Sequence, residues 1–296
     1  MTATGSRTDP LAGIPVEAVT ALVEEVARTV VRPRFRDLAR GDVSEKGPGD
    51  LVTVVDVAAE VALAEGLTRL TPGVPVVGEE AVAADPALLD VVADADRVWV
   101  LDPIDGTQAF VDGAPDYAVM VALVAGGESV AGWICLPEQG RTYVAVRGGG
   151  TWLDGRRLTA ADADLHALRG AAATKFLPRG PAELPDGVLA RVEAGIAALG
   201  PGAATSDRLW SGAAYGRILA GEADFAFYWR TNPWDHAAGA VLVREAGGVS
   251  RRPDGSDYRP GDDGVGLVVA SSAEVADAVV AALRPVLPAG EEPAAR

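Results

Sequence analysis

The chain has 296 residues, of which 49% are hydrophobic and 23% charged, a balance that builds globular cores and excludes a disordered chain. Its 26 Lys and Arg face 42 Asp and Glu, a net charge of −16, with no local basic patch. Such a chain repels nucleic acid polymers and anionic membranes, so neither is expected as a partner. No apolar run approaches the roughly 20 residues that cross a bilayer. The first fifteen residues lack a basic region followed by an apolar core. A cytoplasmic location is the expectation. Cys135 is the single cysteine, which excludes an intrachain disulfide and a thiolate metal cluster; its apolar neighbours predict a buried, inert thiol.

In chain order, residues 16–40 have helical apolar spacing, with Pro33 expected to end or kink the helix. Residues 56–70 predict an alanine-rich helix with Val57, Val61, Leu63 and Ala64 on one side. Residues 74–77 read as a short strand running into Gly78-Glu79-Glu80. Segments 98–101, 118–125, 129–136 and 142–147 are apolar and separated by turn signals such as Gly126-Gly127, which predicts an antiparallel meander. Beyond residue 159 alanine-rich helices alternate with short strands, at 188–198, 213–220, 224–228, 237–246, 266–270 and 273–283. The fold class is therefore α/β in the broad sense. Residues 14–157 form an α+β half with an antiparallel sheet, and residues 158–285 an α/β half. Residues 1–13 and 286–296 read as loose termini.

Acidic clusters stand where apolar segments stop: Gly78-Glu79-Glu80, Asp102-Pro103-Ile104-Asp105-Gly106-Thr107, and Trp234-Asp235-His236. A further acid-bounded segment, Asp50-Leu51-Val52-Thr53-Val54-Val55-Asp56, opens the second helix. Singly, each has a plain structural reading. Asp102 and Asp105 suit turns, Asp56 and Asp235 suit helix starts, and Glu79-Glu80 suits a solvated surface. Jointly, carboxylates aimed at one point repel unless a cation sits among them. Mg²⁺ fits best, being bound by oxygen ligands and completed by substrate phosphate. The Ile104 carbonyl is a further candidate ligand, and two histidines with one cysteine argue against zinc. Gly106-Thr107 leads into a helix or turn whose free N–H groups suit phosphate. With no obvious nucleophilic side chain, this chemistry fits attack of metal-activated water on a phosphate ester.

These motifs, with Glu245-Ala246-Gly247-Gly248, resemble the inositol monophosphatase superfamily, which includes fructose-1,6-bisphosphatase and bisphosphate nucleotidases. They occur in the family's order over about residues 46–250. The resemblance implies a layered αβαβα sandwich of the sugar phosphatase type, usually a homodimer. It implies that Glu79, Asp102, the Ile104 carbonyl, Asp105 and Asp235 ligate two or three Mg²⁺ ions. Gly106 and Thr107 would bind phosphate through backbone N–H, Asp56 and Thr107 would activate the water, and Glu80 would support them. Aspartyl phosphatases of the haloacid dehalogenase type carry a related Asp…Asp-Gly-Thr motif, but one residue separates the acids there and two do here.

The substrate is less legible. Inositol-specific members carry a carboxylate seven residues before the Trp-Asp acid, and Tyr228 holds that position here. Ser211-Gly212-Ala213-Ala214 matches their small-residue helix start after a shift of two residues; the ungapped count gives Leu209-Trp210-Ser211-Gly212. Tyr228, Arg230 and Ser211 are the substrate-side candidates, for a small phosphate monoester. Histidinol phosphate and 3′(2′),5′-bisphosphate nucleotides are the alternatives to inositol phosphate. A protein that binds metal and phosphate without turnover is the alternative of another class. Lys46, four residues before Asp50, reads either as a surface lysine or as a neighbour of the metals. His236 reads as a packed residue at a helix start.

Overall fold

The computed structural model describes residues 9–47, 50–175, 187–262 and 264–287. Helix α1 (Val16–Val26) continues through one π turn at Ala27–Val31 and one 3-10 turn at Arg32–Arg34, so Pro33 ends the helix as its missing N–H requires. A hairpin of β1 (Val43–Gly47) and β2 (Asp50–Thr53) leads into α2 (Val54–Leu70). Next come β3 (Val76–Gly78), α3 (Glu79–Ala84), α4 (Leu88–Asp94), β4 (Arg97–Asp105) and α5 (Thr107–Val111). The meander continues with β5 (Ala118–Ala125), β6 (Glu128–Leu136), β7 (Arg141–Val146), β8 (Gly150–Leu153) and β9 (Arg156–Leu158). These strands form a seven-stranded sheet in the order β3 to β9, antiparallel except for the parallel β3–β4 pair. The second half contains β10 (Arg169–Ala173), α6 (Val188–Ala197), β11 (Gly202–Ser206), α7 (Ser211–Leu219), β12 (Phe225–Tyr228), α8 (Pro233–Glu245), β13 (Val249–Arg251), β14 (Leu267–Ala270) and α9 (Ala273–Leu283). Its sheet runs β11-β10-β12-β14-β13.

The layers follow from side-chain alternation. Trp99, Leu101, Val119, Val121, Leu123 and Trp133 turn one face of the large sheet towards α1 and α2. Val98, Val100, Met120, Ala122 and Ile134 turn the other face towards α7 and α8. Helix α8 also packs on β13 and β14, while α6 and α9 cover the small sheet from outside. The result is the αβαβα sandwich. The Trp99 and Trp133 rings lie 5.7 Å apart in the first core, and each indole N–H finds a threonine hydroxyl, Thr71 and Thr20 respectively.

The sheet–helix contact depends on Gly132 in β6, where an added Cβ would lie 2.6 Å from the Ala238 carbonyl oxygen of α8. The next neighbour is the buried Val241 side chain of the same helix at 2.8 Å, so relief requires α8 to move. Gly132→Ala is expected to destabilise the protein by about 1–3 kcal/mol. Thermal or urea denaturation measures it, and an unchanged midpoint would show that α8 is not held this closely.

Three sequence expectations are corrected, for the face of α2, the end of β4 and the loose stretch 1–13. On α2, Val57 and Val61 point outward, 49% and 52% exposed. The buried stripe is Asp56, Ala59, Glu60, Leu63 and Leu67. The Thr53–Asp56 capping box fixes this phase, turning two carboxylates inward. The second correction concerns β4, which does not stop at Leu101 but runs through Asp105. Strands β1, β2, β8, β9, β10, β11 and β13 were not foreseen. Residues 9–13 are tied to the fold: Leu11 packs on the first core, and Arg97 donates to the Ala12 carbonyl. The remaining terminal stretches, 1–8 and 288–296, lie outside the described residues.

Candidate active site

Strand β4 explains why its two acids act together. Side chains three apart on a regular strand face opposite sides. Here Asp102 pairs with Met120 and Asp105 with Ala118, so three steps on β4 match two on β5. That one-residue bulge returns Asp105 to the face that carries Asp102, Ala118 and Met120. Asp235, in the first turn of α8, completes a group in which one carboxylate oxygen from each of the three acids lies within 4.8 Å of the other two.

Asp102 and Asp105 are buried at high electrostatic cost, and Asp235 is half-buried. Asp102 is 1% exposed and its Oδ1 has no hydrogen-bond partner among the described residues. Burial, followed by Glu79, Asp105, Asp235 and Asp56, holds its pKa well above the usual carboxylate range. Asp105 is raised by burial too, against the opposing pull of Ser211 and Gly212. Its Oδ1 accepts from the Ser211 hydroxyl at 2.5 Å, and its Oδ2 from the Gly212 N–H at 2.8 Å. An all-oxygen group with an orphaned buried carboxylate oxygen fits a hard divalent cation.

Two more groups converge on this point. The Thr107 hydroxyl, at the start of α5, lies 3.0 Å from Asp56 Oδ1 and 3.1 Å from the Ile104 carbonyl, sharing its proton between them. Asp56 Oδ2 is anchored by the Thr53 N–H at 2.8 Å and the Thr53 hydroxyl at 2.5 Å. Glu79 and Glu80 form the first turn of α3, and Lys46 Nζ pairs with both, at 2.7 and 3.0 Å. Glu60 caps that turn, accepting from the Glu80 and Ala81 N–H groups at 2.8 Å each. Gly78 permits this approach, since a Cβ there would lie 2.2 Å from the Glu60 carboxyl carbon. Gly106 is left-handed at φ 82°, with the Asp116 carbonyl and Trp210 both 3.1 Å from where a Cβ would sit.

Residues 15–287 match the inositol monophosphatase family. The chain belongs to that family. An inositol-1-monophosphatase of Mycobacterium leprae is 36% identical over 245 residues, covering 80% of this chain and 79% of that one. A Nus factor SuhB of Salmonella typhimurium is 30% identical over 274 residues, covering 91% and 96%. The crystal structure of the Bartonella henselae suhB protein superposes with a TM-score of 0.76 over 92% of this chain and 98% of that one, at 24% identity. At that identity the likeness speaks to the fold.

Within this family member, the cleft above the acids is lined by Trp210, Ser211, Tyr228, Trp229, Arg230 and Trp234. Ser211 begins α7, so the shifted alignment of Ser211-Gly212-Ala213-Ala214 is the one the helix start supports, and its hydroxyl is spent on Asp105. Tyr228 is buried and Arg230 exposed. Asn232 donates to Asp235 at 3.1 Å. His236 is packed, as expected. Its Nδ1 accepts from the Tyr215 hydroxyl and its Nε2 donates to the Arg230 carbonyl, both at 3.3 Å. Burial lowers its pKa to about 3, so it stays neutral. Cys135 is buried and its thiol is pushed up to about 11. Glu60 was not foreseen. Its signal was the spacing Asp56, Glu60, Leu63, Leu67 on one helix face.

Burial, then Lys46 in opposition and Asp235 in support, leaves Glu79 with a pKa of about 8 against an ordinary 4.5. The folded state therefore holds this proton to higher pH than the unfolded chain does. Its contribution is complete below pH 4.5 and is lost as pH rises through about 8 in the metal-free protein. A cation among the acids removes that penalty and displaces the proton. The rise in melting temperature on adding Mg²⁺ should be larger at pH 8 than at pH 6, by scanning calorimetry. An equal rise at both would contradict the burial of an acidic Glu79.

Proposed function

We propose that this chain hydrolyses a small phosphate monoester in a Mg²⁺-dependent reaction, with water attacking phosphorus directly. The observation that carries the reading is the convergence of Asp102, Asp105 and Asp235 within 4.8 Å beside the Thr107–Asp56 hydrogen bond. Glu79, Asp102, Asp105, Asp235 and the Ile104 carbonyl would hold two or three Mg²⁺ ions. When bound, these supply charge neutralisation at the phosphate and lower the pKa of water. The chain's own residues do the rest. The Gly106 and Thr107 N–H groups, at the start of α5, orient the phosphate. Thr107 Oγ accepts a proton from the attacking water while its own proton passes to Asp56 Oδ1. Burial raises the Asp56 pKa and suits it to receive that proton. Glu80 supports the arrangement by holding Lys46, which also engages Glu79.

Metal and phosphate binding without turnover is the rival reading, and the Salmonella relative is named a Nus factor and not an enzyme. The Thr107–Asp56 pair favours catalysis, because binding needs no proton relay. The homodimer implied by the resemblance and the cytoplasmic location expected from the sequence belong to this proposal; sedimentation of the purified protein measures the first. Phosphate release should be measured across inositol phosphates, histidinol phosphate, fructose bisphosphate and adenosine 3′,5′-bisphosphate, with Mg²⁺ and with EDTA. Release that needs Mg²⁺ is expected for at least one ester. Silence on all of them, with the protein folded and Mg²⁺ bound, would overturn the enzymatic reading.

A further inference from the structure

Tyr228 and its neighbour Trp229 both line the cleft, and each carries a buried polar atom that the hydrolytic chemistry does not use, the Tyr228 hydroxyl and the Trp229 indole N–H. Tyr228 is 5% exposed, and its hydroxyl has no hydrogen-bond partner among the described residues. A buried hydroxyl without a partner carries a desolvation cost that a ligand atom can relieve. Its ring cannot swing away easily. It lies against His236 with centroids 4.6 Å apart, and His236 is fixed on both nitrogens, by Tyr215 and the Arg230 carbonyl. The tyrosine is thus a rigid plane carrying one hydrogen-bonding atom.

The surroundings share that character. Trp210, Trp229 and Trp234 line the same cleft. Beside the Tyr228 hydroxyl, the Trp229 indole N–H is also without a partner among the described residues, whereas Ser211 donates to Asp105 and Asn232 to Asp235. Other polar lining residues, Gln108, Lys175, Asp207 and Arg230, are half-exposed or exposed. A polyhydroxylated ring must find a partner for nearly every hydroxyl it takes out of water, and a wall of aromatic faces supplies few. A planar unsaturated ring loses little on the same wall and gains aromatic contact.

We propose that Tyr228 selects the leaving alcohol, and that the cleft takes the phosphate ester of a compact alcohol bearing a planar ring with one hydrogen-bonding heteroatom, in preference to a polyol. This rests on the phosphatase reading above and names its substrate class.

The test compares kcat/KM, with Mg²⁺, for pyridin-3-ylmethyl phosphate, benzyl phosphate, myo-inositol 1-phosphate and glycerol 2-phosphate. The wild-type order expected is pyridylmethyl, then benzyl, then the two polyol esters. Tyr228→Phe keeps the ring and removes the hydroxyl. It should lower the pyridylmethyl-to-benzyl ratio by roughly tenfold, the scale of one hydrogen bond to a buried group. A wild-type preference for inositol 1-phosphate over both aryl esters overturns the inference while leaving the phosphatase reading intact. So does a Tyr228→Phe loss shared equally by all esters, which would place the hydroxyl on something common to every substrate. If no ester is hydrolysed, the phosphatase reading fails and this inference fails with it.

Discussion

Asp102→Asn should stabilise the metal-free protein and at the same time lower kcat/KM by about 10²–10³-fold, the scale of removing one preorganised electrostatic contact. Both effects come from one fact. Asp102 is 1% exposed, one of its oxygens has no partner among the described residues, and four carboxylates raise its pKa after burial does. Without a cation, the folded state must hold a proton there or bear an uncompensated buried charge. Asparagine has nearly the same shape and no charge, so the gain should be about 1 kcal/mol or more and should grow with pH, as the wild-type carboxyl becomes harder to keep protonated. With a cation present the sign reverses, because the missing charge weakens binding. Denaturation in EDTA and steady-state kinetics at saturating Mg²⁺ measure the two arms. An Asp102→Asn protein that is less stable in EDTA would mean that the acid has a structural partner.

Thr107→Val should lower kcat by about 10²–10⁴-fold, the usual contribution of positioned proton transfer, while the Mg²⁺ affinity changes little. Valine fills the same space, so the loss isolates the hydroxyl that lies 3.0 Å from Asp56 Oδ1. Asp56→Asn should reproduce the loss, and the double variant should be no worse than the poorer single one, since the two groups act as one relay. Kinetics with calorimetric Mg²⁺ titration of the three variants checks this. Losses that multiply would mean that the residues act separately.

The antiparallel meander was legible in the sequence because the large sheet is built from long apolar segments with clear turn signals, such as 118–125 ending in Gly126-Gly127, whereas the sandwich was implied by the family resemblance. The missed strands are short or made of small residues. Arg169–Ala173 reads RGAAA and Gly202–Ser206 reads GAATS. Such sequences have little strand preference of their own and become strands by pairing with β12 and with each other. The acids of the site were legible because carboxylates at the ends of apolar segments are conspicuous. How they meet was not, since the β4 bulge is a matter of register against β5, and periodicity within one strand carries no register. The inward face of α2 was misread for a related reason. Val57 and Val61 are the more apolar choice, but the capping box and the Glu60 contact to α3 set the rotation.

The most direct test of the acidic cluster as a cation site is a calorimetric titration of Mg²⁺ at pH 7.5 in two buffers of different ionisation enthalpy. Wild-type protein and Asp102→Asn should be compared. The arrangement of Glu79, Asp102, Asp105 and Asp235 predicts Mg²⁺ binding by the wild type with net proton release, because burial raises Glu79 and Asp102 above their ordinary pKa values. It predicts weaker binding and less proton release in Asp102→Asn. Absence of binding by the wild type, or indistinguishable titrations for the two proteins, would contradict it.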